Sequence, residues 1–182
     1  MNWKIGDDIR LKMITEEDVK PFFELVMKSK EHLKMWLGRI DFIKEENDIA
    51  TYFKVKIEAA SEHNGNPIAF GIFYRDELAG TIEFSNIDKS NKIGRIAYWL
   101  GNSFQNKGIM SKALNEIIDY GFDQLKLNKI EITTAVDNHK SRALPERLGF
   151  KEEGRIRQAQ WLYDRYVDHI IYGLLKSEKI DI

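Results

Sequence analysis

Cysteine is absent from the 182 residues, which excludes a disulfide framework, a thiolate zinc site, an iron–sulfur cluster and a cysteine nucleophile at once. Proline is scarce too: Pro21, Pro67 and Pro145 stand far apart and form no linker. Neither charge is in excess. The 28 Lys and Arg against 29 Asp and Glu leave a net charge of -1, which gives no general attraction to nucleic acid or to an anionic membrane surface. No stretch approaches the ~18 consecutive apolar residues of a membrane span. The start, Met1-Asn2-Trp3-Lys4-Ile5-Gly6-Asp7-Asp8, lacks the apolar run of a secretory signal, so the expectation is a soluble cytoplasmic protein. Internal repeats are missing, and so are both glycine fingerprints for nucleotides, G-x-G-x-x-G and G-x-x-x-x-G-K-[ST]. The four histidines (His32, His63, His139, His169) are scattered without metal-ligand spacing, so no metal is expected.

What is present is a globular composition, 43% hydrophobic with ten Phe, seven Tyr and four Trp, and one domain over 1–182 is expected. Ile9 to Ile14 alternates apolar with basic residues as a strand does, and Thr15-Glu16-Glu17-Asp18 offers a helix-capping box. A helix with Phe22, Leu25 and Val26 follows, then a short separate segment from His32 to Leu37. Glu45 to Glu62 carries Ile49, Tyr52, Phe53 and Ile57 at helical spacing; its Lys54, Lys56 and Glu58 read as a solvated face, and His63-Asn64-Gly65-Asn66-Pro67 stops it.

Ile68 to Tyr74, Leu78 to Asn86 and Ile93 to Leu100 read as strands joined by short turns at Arg75-Asp76-Glu77 and Asp88-Lys89-Ser90-Asn91. The clearest helical face runs from Gly108 to Lys126 through Met110, Leu114, Ile117, Ile118 and Phe122. A strand from Ile130 to Val136, a short helix from His139 to Leu148 distorted by Pro145, and strands from Phe150 to Tyr163 and Tyr166 to Leu174 complete an α/β order.

Between a strand and the amphipathic helix lies Ser103-Phe104-Gln105-Asn106-Lys107-Gly108-Ile109-Met110. Exposed backbone N–H groups at a helix start, a glycine and a lysine suit an anionic phosphate, although a plain glycine helix cap is the commoner use of such a turn. Tyr98-Trp99-Leu100, Gln105 to Met110, Asn138-His139-Lys140-Ser141, Leu148-Gly149-Phe150 and Glu153-Gly154 follow in order. In that order and spacing the chain resembles the GNAT acetyltransferase superfamily, and within it the RimJ/RimL-type ribosomal-protein N-terminal acetyltransferases. Met110 departs from the usual Gly or Ala.

The resemblance implies a mixed, mostly antiparallel central sheet, splayed at a coenzyme cleft and flanked by helices. It also implies acetyl-coenzyme A as co-substrate, with Gln105, Asn106, Lys107, Gly108, Ile109 and Met110 on the pyrophosphate, Tyr98, Trp99 and Leu100 along the pantetheine, and Asn138 and Ser141 at the coenzyme. The Leu100 N–H then polarises the thioester carbonyl and Ser141 assists the leaving thiolate. For Tyr98 and Trp99 a plain core strand is the competing reading; Asn138 can equally cap the helix and Ser141 bond the local backbone.

The branch's proposed base position is Gln160 here, which cannot accept a proton. Glu83 is the replacement candidate, sharing a strand face with Thr81 and Ser85, and a solvated carboxylate is the competing reading. Trp36, Leu37 and Trp161 are acceptor-pocket or core aromatics and aliphatics, and His169 suits a satisfied strand histidine. The implied acceptor is a primary amine, foremost the α-amino group of a ribosomal protein, without nucleic acid or membrane as partner; a small amine such as a polyamine or amino sugar, or coenzyme binding with little catalysis, are the alternatives. A homodimer is expected.

Overall fold

The computed structural model describes residues 2–62 and 68–179. The stop signal at 63–67 therefore lies outside the described residues. Eight strands, β1 (Asn2–Ile5), β2 (Ile9–Met13), β3 (Ala69–Tyr74), β4 (Glu77–Asp88), β5 (Ile93–Leu100), β6 (Lys129–Ala135), β7 (Lys151–Leu162) and β8 (Arg165–Leu175), form one sheet in the order β1-β2-β3-β4-β5-β6-β8-β7. Its helices are α1 (Val19–Lys34), α2 (Glu46–Glu62), α3 (Ile109–Asp123) and α4 (His139–Arg147). β5 and β6 run parallel, which requires a crossover, and α3 supplies it. The helix start therefore follows the carboxyl end of β5. The β5–β6 ladder runs from Ile93 and Lys129 to Ile96 and Ile132, although β5 continues to Leu100 and β6 to Ala135.

The chain forms two compact units, and β4, β5 and α3 contribute to both. The first comprises residues 1–83 and 98–116. β1, which the sequence reading did not anticipate, pairs with β2 through a turn at Gly6 (φ 63°). Its residues are only half-buried or exposed, so the alternating pattern is weak. The expected strand is β2, with Ile9 and Leu11 in the core. The capping box forms on the 3-10 turn Glu16–Asp18: buried Asp18 accepts from Thr15 N and Oγ1 at 2.9 Å each and from Lys12 Nζ at 3.0 Å. Three donors thus replace the hydration that burial removes from this side chain.

One stripe of α1, Phe22, Leu25, Val26, Ser29 and Leu33, is buried. The helix runs unbroken to Lys34, so His32 to Leu37 is not a separate segment; no breaker interrupts the periodicity, and Trp36 and Leu37 bond back to the Leu33 carbonyl. β3 and β4 meet in a two-residue turn with Arg75 and Asp76 at φ 52° and 65°, the left-handed pair that matches strand twist.

The second unit comprises residues 84–97 and 117–182. Phe84, fully buried, lies where a Cβ on Gly94 or Gly121 would stand, 2.9 and 2.8 Å away, so these glycines let strand and helix close over one ring. α3 ends at Asp123, short of Lys126, which is left-handed (φ 55°). β7 lies at the sheet edge with nearly every residue exposed.

Candidate active site

Phe104, 5% exposed, anchors the turn after β5, and Asn106, Lys107 and Gly108 emerge from it exposed. Asn106 and Gly108 are left-handed, at φ 60° and 70°, which orients successive peptide groups outward before α3 begins. A Cβ on Gly108 would meet nothing within 4 Å, so the glycine serves the backbone conformation and the space before the helix is open. The first-turn N–H groups of a helix have no partner within it, and here they belong to Ile109, Met110 and Ser111. Ile109 is buried and Met110 half-buried; their peptide groups are the relevant ones, so Met110 in place of a smaller residue leaves these donors intact. Lys107 adds a cation, its ammonium 5.3 Å from the Tyr74 ring and 5.6 Å from the Phe104 ring. Gln105 bonds the His32 ring from α1, a partner that sequence reading missed. Donors, cation and open space together fit a diphosphate.

Tyr98, Trp99 and Leu100 are half-buried, and Trp99 packs edge-on against Phe22 at 5.4 Å. β4 approaches them closely: a Cβ on Gly80 would lie 2.1 Å from the Trp99 carbonyl oxygen and 2.9 Å from the Leu100 Cα, so only glycine fits. Gly101 N donates to the Ala79 carbonyl at 2.8 Å and fixes the end of β5.

Glu83 stands three residues further along β4. It is not a solvated carboxylate: its side chain is 14% exposed, and Oε2 accepts from the Tyr52 hydroxyl at 2.7 Å and pairs with Lys56 at 3.0 Å. Burial, with the Glu83 charge added, pushes the Tyr52 phenol well up, so it stays a proton donor. Lys56, expected on a solvated face, is instead 16% exposed and turned inward, while Lys54 and Glu58 are exposed as expected. The i,i+4 spacing of Tyr52 and Lys56 was the available signal, since it places both on one helix face.

The second unit holds the remaining candidates. Asn138 caps α4, its Oδ1 accepting from Ser141 N at 3.2 Å, so the capping reading is correct and the amide nitrogen remains for another partner. Ser141 is half-buried in the first turn of α4. Pro145 sits inside that helix and has no N–H for the carbonyl four residues back, that of Ser141. Gln160 Oε1 lies 3.0 Å from His169 Nε2, and burial pushes His169 below the ordinary histidine range against the opposing pull of Asp168. On β6, the buried Thr133 and Thr134 hydroxyls have no hydrogen-bond partner in the described protein. Trp161 is 54% exposed at the β7 end and contacts Tyr166 at 4.8 Å, which overturns its core reading; an edge strand leaves one side of the residue uncovered. Trp36 and Leu37 are half-buried. Among the described residues no group of three or more His, Cys, Asp or Glu could hold a metal ion, and no helix is long and apolar enough to cross a membrane.

Residues 8–151 match the acetyltransferase (GNAT) domain. The ribosomal-protein-serine acetyltransferase of Escherichia coli (strain K12) is 35% identical over 170 residues, covering 93% of this chain and 94% of that protein. Among solved structures, the RimL ribosomal L7/L12 α-N-protein acetyltransferase in complex with coenzyme A is similar at a TM-score of 0.90 and 27% identity, over 96% of this chain and 98% of that one. The coenzyme there is disulfide-linked to a cysteine, a bond this cysteine-free chain cannot make. The microcin C7 self-immunity acetyltransferase MccE, in complex with acetyl-CoA and AMP, is similar at a TM-score of 0.87 and 29% identity, over 94% of each chain. The chain belongs to the GNAT acetyltransferase family. Within it, this is an acetyl-CoA-dependent N-acetyltransferase.

Proposed function

We propose that the acceptor is the α-amino group of a protein N-terminus, a ribosomal protein foremost, and that residues 1–182 act as one catalytic domain. The observation that carries the mechanism is Glu83, a half-buried carboxylate with donors on one oxygen, in the strand that Gly80 holds against Trp99 and Leu100. The names of the E. coli relative and of the RimL structure support the acceptor class.

In this reading the Gln105-to-Met110 loop binds the diphosphate, Tyr98, Trp99 and Leu100 present backbone groups to the pantetheine arm, and the Asn138 amide nitrogen donates to the coenzyme. The amine nitrogen bonds to the thioester carbonyl carbon while Leu100 N–H stabilises the developing oxyanion. Glu83 takes the proton that nitrogen must lose. The carbon–sulfur bond then breaks, and the Ser141 hydroxyl hydrogen-bonds the leaving thiolate, whose thiol has a reference pKa of about 8.5. No acyl-enzyme forms, because the chain has no cysteine and no Ser-His pair is assigned.

The small-molecule alternative draws support from MccE, whose structure holds AMP beside acetyl-CoA. Thiol release from acetyl-CoA, measured with peptides bearing ribosomal-protein N-termini, a polyamine and an amino sugar, decides the matter. The peptides are expected to be the best substrates; faster turnover of a small amine moves the assignment to that amine, and no turnover with any leaves a coenzyme-binding protein. The same reading places the protein in the cytoplasm as a homodimer, supported by exposed Ile156, Trp161, Tyr163 and Tyr166 in β7, β8 and their turn. Light scattering that reports only the 21.3 kDa monomer at micromolar concentration contradicts the dimer.

A further inference from the structure

Glu83 carries its two polar contacts on the same oxygen. The Tyr52 hydroxyl, at 2.7 Å, and the Lys56 ammonium, at 3.0 Å, both meet Oε2, and no described residue bonds Oε1. Both donors come from one face of α2, and Lys56 also lies 5.6 Å from the Tyr52 ring centroid. The phenol is itself held by rings, Phe22 at 6.3 Å and Phe53 at 5.9 Å, and Phe22 in turn contacts Trp99. A carboxylate rotates freely about its terminal bond unless something distinguishes its oxygens. Here two donors on a packed helix do so.

We propose that Tyr52 and Lys56 are positioning residues for acetyl transfer, which fix Glu83 by Oε2 so that Oε1 alone is presented to the acceptor nitrogen. This inference rests on the reading of Glu83 as proton acceptor. Lys56 sets a cation against Oε2, and Tyr52 sets the rotation of the carboxylate. The strand neighbours of Glu83 are neutral: Ala69 stands opposite it on β3, and Thr81 shares its face of β4. A positioning role differs from a purely structural one in its dependence on the acceptor. The α-amino group has a reference pKa of about 7.7 to 8.0, so at alkaline pH it arrives neutral and needs less from a base.

The test compares wild type with Glu83→Gln, Lys56→Met, Lys56→Arg and Tyr52→Phe at pH 7 and pH 9.5, using acetyl-CoA and an N-terminal peptide. Glu83→Gln is expected to lose about 10²- to 10⁴-fold in kcat at pH 7. Lys56→Met and Tyr52→Phe should lose about tenfold, less than the roughly 10²-fold that a full 1 Å misplacement can cost, with KM for acetyl-CoA unchanged, and all three losses should shrink at pH 9.5. Lys56→Arg keeps the charge and should retain most of the rate. If Glu83→Gln is impaired while Lys56→Met and Tyr52→Phe turn over like wild type, the positioning role is overturned and the base stands. Unchanged turnover of Glu83→Gln removes the base reading and this inference with it. Losses in Lys56→Met and Tyr52→Phe that are equal at both pH values, or that appear in KM for acetyl-CoA, assign the pair to structure only. Should Lys56→Met fail to fold, Tyr52→Phe, which removes one hydroxyl, carries the test.

Discussion

Glu83 and Gln160 are both half-buried strand residues with polar partners, one in each unit, and the partners differ in kind. Glu83 has a cation and a phenol from α2. Gln160 has an imidazole from the adjacent β8, where the β7–β8 register shifts between Ile156 and Gln160. A charge survives partial burial where a countercharge meets it, and a neutral amide suits a neutral ring. Burial favours the neutral form of His169, so a carboxylate at 160 would face a ring that resists becoming its counterion. The comparison teaches that a carboxylate sits where a countercharge meets it, and here that countercharge is Lys56 in the first unit.

The largest expected effect on stability tests the proposed binding of coenzyme by the first unit's Gln105-to-Met110 loop. Acetyl-CoA at a hundredfold its Kd should stabilise the wild type by about 2.7 kcal/mol, or about 5–10 °C in Tm. Gly108→Val should abolish that shift, because a β-branched residue resists φ 70°. A full shift in the variant refutes the loop assignment. Two further glycines contrast the units directly. Gly80→Ala drives a methyl into the Trp99 carbonyl and should cost about 1–3 kcal/mol in denaturant unfolding, with turnover falling too. Gly154→Ala, on the second unit's edge strand, meets nothing within 4 Å and should stabilise by about 0.4–1 kcal/mol. Equal effects would erase the contrast.

The smallest effect is in the pH dependence of stability. His169 is held below its ordinary value, so the unfolded chain takes up that proton first as pH falls. Stability from this group is complete above about pH 6.5 and declines as pH drops through the folded value. His169→Gln should flatten the Tm profile between about pH 7 and pH 5, above the range where the carboxylates titrate. An unchanged slope assigns the decline elsewhere.

Much of the fold was legible because it rests on periodicity. α3 and β5 announce themselves by apolar spacing, and the Arg75-Asp76 turn by residue type. β1 carries little pattern because its four residues are half-buried or exposed on an edge, and Leu33, Trp36 and Leu37 look like a new stripe although Leu33 is in the last turn of α1 and the other two bond back to its carbonyl just beyond the helix end. The Gln105-to-Met110 loop was legible as a motif with a glycine at its left-handed position. The Tyr52–Lys56–Glu83 cluster was not, since a lysine flanked by Lys54 and Glu58 reads as surface until a strand 31 residues beyond Tyr52 brings a carboxylate to it. The i,i+4 spacing of Tyr52 and Lys56 puts them on one helix face, but the carboxylate they meet is a tertiary partner that local sequence does not name.

The most direct test of the account is the turnover of Glu83→Gln beside Gln160→Glu, with one N-terminal peptide at pH 7 and pH 9.5. The account predicts a loss of about 10²- to 10⁴-fold for Glu83→Gln at pH 7 that shrinks at pH 9.5, and no gain for Gln160→Glu. Wild-type turnover by Glu83→Gln at pH 7, or a gain of about tenfold or more by Gln160→Glu, would contradict it.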